Sequence, residues 1–274
     1  MIKTSQHKLC EHLKKELKIE SDALVWLHSS IKGFGLLEGG IEIISNAFHK
    51  VLHKGALVIP TFSYSWAKGE VYDRKRTECK DMGYFANNVW KNSEFTRNNN
   101  PNFSISCLDN SKGKQILKSL LCPETAHTCF GKGSVFDNMY KISKTRPSYI
   151  ILLGGAHDDV VFRTTFLHYV EQSVTVPYRY LKIFTSPTRK STSVDQYVRF
   201  LSRSEYIDIN GNKPPNEYIF PIKEKYNKLG IDLVNDKLIK FYPLGYSETR
   251  KVPIYKFCNW LSDKIINNKE YLLN

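Results

Sequence analysis

Two short apolar runs bracket an amphipathic helix within residues 23–60, and this pattern constrains the fold more than any other part of the chain. Ala23-Leu24-Val25-Trp26-Leu27 is apolar at every position and reads as a strand buried on both faces. It ends in His28-Ser29-Ser30 and a glycine-bearing loop, Lys32 to Gly40. From Ile41 to Leu52, the residues Ile41, Ile44, Phe48, Val51 and Leu52 recur at helical spacing, and Gly55 is expected to close that helix in the C′ role. Ala56-Leu57-Val58-Ile59-Pro60 is a second buried strand. Two strands joined through a helix pair in parallel, with helices on the sheet faces. The expected class is α/β: a parallel or mixed sheet with helices on both faces, plus a smaller α+β region.

The remaining chain is read more coarsely. Leu9, Leu13 and Leu17 predict one amphipathic helix over residues 2–18. Residues 64–82 read as a loop, and Asp81 as the N-cap of a helix running through Trp90. Residues 98–102 form a loop and 111–121 a short helix. Tyr149 to Gly155 is the clearest remaining core strand. After about residue 175 the texture changes to strand pieces at 176–180 and 182–184, turn signals at Asn210-Gly211 and Pro214-Pro215, and a last helix over 255–266. Domains are expected at 1–174, the α/β core, and 175–274, a smaller region completing the acceptor side.

In open α/β sheets, ligands bind beyond the carboxyl ends of the strands. Three such ends carry polar residues: Ser29-Ser30, Thr61-Phe62-Ser63, and Gly154-Gly155 leading on to Thr164-Thr165-Phe166-Leu167-His168-Tyr169-Val170-Glu171. The last segment reads as the opening turns of a helix. His168 and Glu171, three apart, share one face. The positive end of the helix dipole favours a neutral imidazole, the form that takes a proton, and Glu171 is placed to orient it. A half-buried, hydrogen-bonded histidine fits the spacing equally well.

Several chemistries are absent as motifs. Gly33-x-Gly35 lacks the third glycine of a dinucleotide fingerprint, and there is neither a phosphate-binding P-loop nor a nucleophile elbow. His49 and His53 lack the glutamate of a zinc helix, and His157-Asp158-Asp159 has no second cluster to complete a metal site, so no metal is expected. The six cysteines (10, 79, 107, 122, 129 and 258) are scattered and expected to be reduced structural thiols. A formal charge of +13 suits a polyanionic partner. Arg74-Lys75-Arg76, Arg189-Lys190 and Lys223/Lys225/Lys228 are dispersed, so neither nucleic acid nor a membrane is the expected partner, and a small phosphorylated ligand is. No run approaches the about 20 apolar residues of a membrane span, and no signal sequence is evident, so a cytoplasmic protein is expected.

Eight segments then carry a resemblance: His28-Ser29-Ser30, Glu38-Gly39-Gly40, Pro60-Thr61-Phe62-Ser63, Asp81-Met82-Gly83, Asn100-Pro101-Asn102-Phe103-Ser104, Phe130-Gly131-Lys132-Gly133-Ser134, Ile151-Leu152-Leu153-Gly154 and Thr165-x-x-His168-x-x-Glu171. In this order the chain resembles the aminoglycoside 3-N-acetyltransferase superfamily, which uses acyl-coenzyme A. The resemblance implies that Ser29, Ser30, Lys32, Gly33, Phe34, Gly35 and Thr61 line the coenzyme A path. Gly131, Gly133 and Ser134 would shape the transfer slot. His168 would be the general base, helped by Glu171, with Thr165 nearby. Backbone amides near Ser30 or Thr61 would hold the oxyanion. Tyr64, Asp81, Asn100 and Arg179 are assigned to the acceptor.

Two departures concern that acceptor. Asn100 stands where aminoglycoside-modifying members often carry histidine, and the stretch from Gly155 to Thr165 is longer than usual. The basic charge favours an anionic acceptor, and residues 165–180 resemble the branch that acylates amino groups of nucleotide-linked sugars for surface polysaccharides. A dTDP-4-amino-4,6-dideoxy sugar is the implied substrate; aminoglycoside acetylation is the alternative. A serine hydrolase using Ser29 or Ser30 is a third reading.

Overall fold

Alternation along the central strands decides which face each helix covers. The computed structural model describes residues 2–121, 128–155, 161–185 and 193–273. In chain order the strands are β1 (Lys3–Ser5), β2 (Leu24–Ser29), β3 (Leu36–Glu38), β4 (Ala56–Pro60), β5 (Thr96–Arg97), β6 (Ile105–Asp109), β7 (Ser148–Gly155), β8 (Arg179–Thr185), β9 (Ser193–Arg199), β10 (Lys240–Leu244) and β11 (Ser247–Pro253). The helices are α1 (Gln6–Glu11), α2 (Glu42–Val51), α3 (Gly83–Val89), α4 (Gln115–Leu120), α5 (Val135–Ile142), α6 (Phe166–Val174), α7 (Arg203–Asn210), α8 (Tyr226–Asn235) and α9 (Ile254–Asn267).

Seven strands form one mixed sheet in the order β10-β11-β7-β2-β4-β6-β5. Its centre, β7-β2-β4, is parallel, and the strands on either side run antiparallel. Leu24 and Trp26 of β2 and Ala56 and Val58 of β4 join one apolar cluster, while Val25, Leu27, Leu57 and Ile59 join another on the opposite face. The second cluster is closed by α2 and α3 and by Leu9 and Leu13, the first by α4, α5, α6, α8 and α9. The α/β sheet with helices on both faces is thus the observed architecture.

Four expectations need correction. Residues 2–18 are not one helix: Lys3–Ser5 pair in parallel with Leu36–Glu38, Ser5 caps α1, and a π-helical turn, His12–Glu16, follows. Gly55 is not a left-handed helix cap, since α2 ends at Val51 with Leu52 as its cap. Glycine is needed there because a Cβ would stand 2.1 Å from the Ala23 carbonyl oxygen. Asp81 caps nothing; it sits in a 3-10 turn, Lys80–Met82, before α3. The boundary at 174/175 does not divide the core: β11 pairs with β7, α9 packs on α6, and Leu24 shares a cluster with Leu272. Among the described strands after residue 174, β8 and β9 lie outside the large sheet, as a two-stranded ribbon. Cys122, His157-Asp158-Asp159 and Arg189-Lys190 lie outside the described residues. Among those described, no helix is long and apolar enough to cross a membrane.

Candidate active site

The site is built where α6 meets the β8–β9 ribbon. Phe166 and Leu167 anchor the first turn of α6 in the core, with Phe166 edge-on to Trp26 and Phe136. That anchoring turns His168, the third helical residue, toward a cavity of about 290 Å³. Thr165 precedes the helix in αR conformation; it makes no side-chain cap, and its carbonyl accepts from the His168 amide at 3.0 Å.

His168 Nδ1 lies 2.9 Å from Glu171 Oε2. The Tyr178 hydroxyl donates to Glu171 Oε1 at 2.9 Å, and Arg179 Nε stands 2.8 Å from Oε2. Arg179 Nη2 reaches both His168 Nδ1, at 2.9 Å, and Glu224 Oε1, while its Nη1 donates to the Tyr197 carbonyl at 2.8 Å. Glu224 is held further by Arg199 Nη1 at 3.4 Å and the Tyr226 hydroxyl at 3.4 Å. Both glutamate side chains are fully buried. Burial alone would push the Glu224 carboxyl up; Arg179, His168 and Arg199 outweigh it and bring it down to about 2. Burial likewise opposes the Arg179 charge, yet Glu171 and Glu224 hold its pKa above the usual range. His168, Glu171 and Glu224 offer ligand atoms within 4.8 Å of one another. The Arg179 guanidinium already supplies the positive charge at the centre of that cluster.

Tyr64, Phe103 and Phe130 wall the cavity on one side, with the Phe130 ring 5.5 Å from the His168 ring. Tyr180, Lys182, Arg199 and Glu205 wall the other. Glu205 is occupied by the Tyr180 hydroxyl and the Leu201 amide, and Lys182 forms no ion pair among the described residues. Beyond Tyr64 lies a recess of about 560 Å³ that includes Glu70 and Asp81. Burial, then Asp81, pushes the Tyr64 phenol up to about 12.

A separate groove of about 380 Å³ runs along the ends of β2 and β7, lined by His28, Ser29, Ser30 and Arg163. The Trp26 indole donates to His28 Nε2 at 2.7 Å, and burial pulls the His28 pKa down to about 4, so this ring is neutral near pH 7. Lys32 is exposed beside it in sequence. Gly33 packs against Ser247, where a Cβ would lie 2.3 Å from the serine Cβ. Gly35 has φ 73° and abuts the Ile2 carbonyl.

Several expected ligand contacts are used internally instead. Phe34 is fully buried in the core. Thr61 is buried and its hydroxyl meets Ser106. The Ser30 amide donates to Leu153 and the Thr61 amide to Ser104, so neither is free to hold an oxyanion. Ser134 caps α5 by accepting from the Asp137 amide; Gly133 donates to Asp137 at 2.8 Å, and Gly131 to Thr128 at 3.1 Å. The buried Asn100 accepts from the amides of Asn102 and Phe103 and donates to the Thr128 carbonyl, fastening its own loop. The described cysteines are free, and burial pushes Cys107, Cys129 and Cys258 thiols up, away from nucleophilic thiolates. The structure therefore brings His168, Arg179 and Tyr64 to one cavity, with Glu171 buried behind His168, Asp81 in the adjoining recess and Ser29 and Ser30 in another groove. Arg199 and Lys182 join the first cavity, and Glu224 lies buried behind it against Arg179, without any motif pointing to them; Phe130, which opens one of the eight segments, lines it too.

Comparison with known proteins agrees with this architecture. Residues 26–264 match the family model described as aminoglycoside 3-N-acetyltransferase. Among solved structures, aminoglycoside acetyltransferase AAC(3)-IVa in its apoenzyme form is similar, at 18% identity and TM-score 0.72 over 100% of this chain and 93% of that one. YokD from Bacillus subtilis is similar at 18% identity and TM-score 0.72, covering 98% of this chain and 96% of its own. AAC-IIIb in a binary complex with CoASH is similar at 13% identity and TM-score 0.68, covering 97% of each chain. No protein of curated function matches the sequence. With the family model spanning nearly the whole fold, the chain belongs to the aminoglycoside 3-N-acetyltransferase family and is an acyl-coenzyme A-dependent N-acyltransferase.

Proposed function

We propose that the protein acylates the amino group of a nucleotide-linked amino sugar, with a dTDP-4-amino-4,6-dideoxy sugar of the kind used in anthrose biosynthesis as acceptor. The observation that carries this reading is the wall of the His168 cavity. Among the described residues it presents aromatic rings, the cations Lys182 and Arg199, and a single carboxylate, Glu205, that is already hydrogen-bonded. Such a wall suits a nucleoside diphosphate better than a polycation. His168 serves as general base, with Glu171 and Thr165 holding it, and Arg179 acts behind it. The neutral amine nitrogen attacks the thioester carbonyl carbon. His168 Nε2, which has no protein partner among the described residues, takes the amine proton. The carbon–sulfur bond then breaks and coenzyme A leaves as a thiolate, which takes up a proton. The β2–β7 groove suits the donor: its hydroxyls, its neutral His28 and its cation Arg163 offer hydrogen-bond donors and a positive charge, with no carboxylate in the lining among the described residues. Ser29, Ser30 and Lys32 are the contacts proposed there. Both substrates of this reading are cytoplasmic metabolites, which supports a cytoplasmic enzyme.

One observation favours an aminoglycoside acceptor instead. Glu70 and Asp81, in the recess beyond Tyr64, form no ion pair among the described residues and would attract amines. A mutant of AAC(3)-IVa, similar at 16% identity and TM-score 0.74 over 100% of this chain and 93% of its own, has been solved in complex with a gentamicin. Thiol release from acetyl-CoA separates the two. Turnover with a dTDP-4-amino-4,6-dideoxyhexose and none with gentamicin supports the sugar-nucleotide reading; the reverse refutes it.

A further inference from the structure

We infer that Glu224 decides which ring nitrogen of His168 carries the proton, acting through Arg179. The inference rests on His168 being the base of the proposed reaction. A base that takes a proton at Nε2 must carry its own on Nδ1. Yet Nδ1 has two neighbours at 2.9 Å that demand opposite things: Glu171 Oε2 accepts only, and Arg179 Nη2 donates only. Donation to Glu171 leaves the Nε2 lone pair open to the cavity. Acceptance from Arg179 moves the ring proton to Nε2 and abolishes the base.

The charged groups of the cluster around this nitrogen come from four parts of the fold. Glu171 is on α6, Arg179 on β8, Arg199 on β9, and Glu224 on the segment leading into α8. The hydroxyls of Tyr178 and Tyr226 end on Glu171 and Glu224, and the Tyr197 carbonyl takes Arg179 Nη1. Among the described residues Glu224 is the other partner of Arg179 Nη2, it makes the closer contact, and it therefore sets how the two Nη2 hydrogens are turned toward or away from His168. A carboxylate there draws the guanidinium hydrogens to itself and leaves Nδ1–H to Glu171. When His168 becomes an imidazolium during turnover, Nδ1 goes on donating to Glu171, and Glu224 keeps the guanidinium turned away from it. Glu224 and Arg179 are therefore positioning residues, and the signal that found them is a shared hydrogen-bond partner, which no spacing rule contains.

The test is nitrogen NMR of the histidine-labelled full chain without ligands, with His168→Gln identifying the His168 signals. Wild type is expected to show a protonated Nδ1 and an unprotonated Nε2 for neutral His168. E224Q, with a weaker neutral acceptor, is expected to exchange them. Its kcat should fall at least about tenfold, with KM for acetyl-CoA unchanged, and Glu224→Asp should restore both tautomer and rate in part. A wild-type His168 protonated at Nε2 overturns the inference even if E224Q does not fold. So does an E224Q enzyme whose rate falls while its tautomer stays the same. The tautomer is read without an acceptor, so it stands or falls separately from the sugar-nucleotide assignment.

Discussion

The loops at the ends of the parallel strands and the β8–β9 ribbon with its Glu224 strap contribute to the molecule in opposite ways. The strand-end loops are rich in recognisable segments, yet Phe34, Thr61, Asn100 and Ser134 spend their polar atoms or their surface on the fold itself. The ribbon and strap carry little that a motif search would notice. They supply Arg179, Lys182 and Arg199 to the wall of the His168 cavity, and Glu224 behind it as the partner of Arg179 and Arg199. A residue pattern typical of a family thus marks both what builds the site and what acts in it. Only the accounting of each side chain's partners separates the two.

That contrast can be broken by experiment. The largest effect is expected at His168, the residue both regions converge on. His168→Gln should lower kcat/KM by about 10²–10⁴-fold with an unchanged circular dichroism spectrum and coenzyme A affinity; an unaltered kcat would remove it from the mechanism. Asn100→Ala should act on the building side alone. Leaving the Asn102 and Phe103 amides without their acceptor should cost roughly 3 kcal/mol in urea unfolding, with kcat preserved in the fraction that stays folded. A selective rise in acceptor KM would return Asn100 to the site.

The pH dependence of stability separates the buried histidines from the Glu224 strap by window. Burial depresses the folded-state pKa of His12 and of His28 to about 4, below the unfolded value of 6.5. Their stabilising contribution is complete above pH 6.5 and is lost as pH falls toward 4, by about 3 kcal/mol for each such shift as an upper bound. Glu224, depressed to about 2 from 4.5, loses its contribution lower, between pH 4.5 and 2. Urea midpoints from pH 8 to 3 should therefore fall in two stages, with His12→Gln flattening the first and E224Q the second. A single flat line would show that these groups remain solvated. Lys182→Glu tests the acting side more gently. Reversing one exposed charge should raise the KM for a nucleotide-linked sugar roughly tenfold, about 1.4 kcal/mol, and leave that for acetyl-CoA alone. The smallest effect belongs to Ser134→Ala, which removes the α5 cap for about 1 kcal/mol, a melting temperature lower by roughly 2–4 °C at constant kcat.

Legibility in the sequence followed the range of the interactions. The parallel centre of the sheet was readable because burial on both faces leaves apolar runs, and the α2 stripe because helical periodicity is local. The His168–Glu171 pair was readable because three residues on a helix bring two side chains together whatever surrounds them. Gly55 and Asp81 were misread because the same residue types serve several local roles; a close approach to Ala23 and a 3-10 turn won over helix capping.

By itself, then, the chain determined an α/β sheet covered on both faces and a histidine beside a carboxylate on the first turns of a helix. Tertiary structure alone decided what that histidine can do. Glu224 lies between Lys223 and Lys225, in a stretch indistinguishable in sequence from solvated surface. Its burial against Arg179 depends on contacts dozens of residues apart, and free energies of that kind come from closing the chain on itself, not from any window along it.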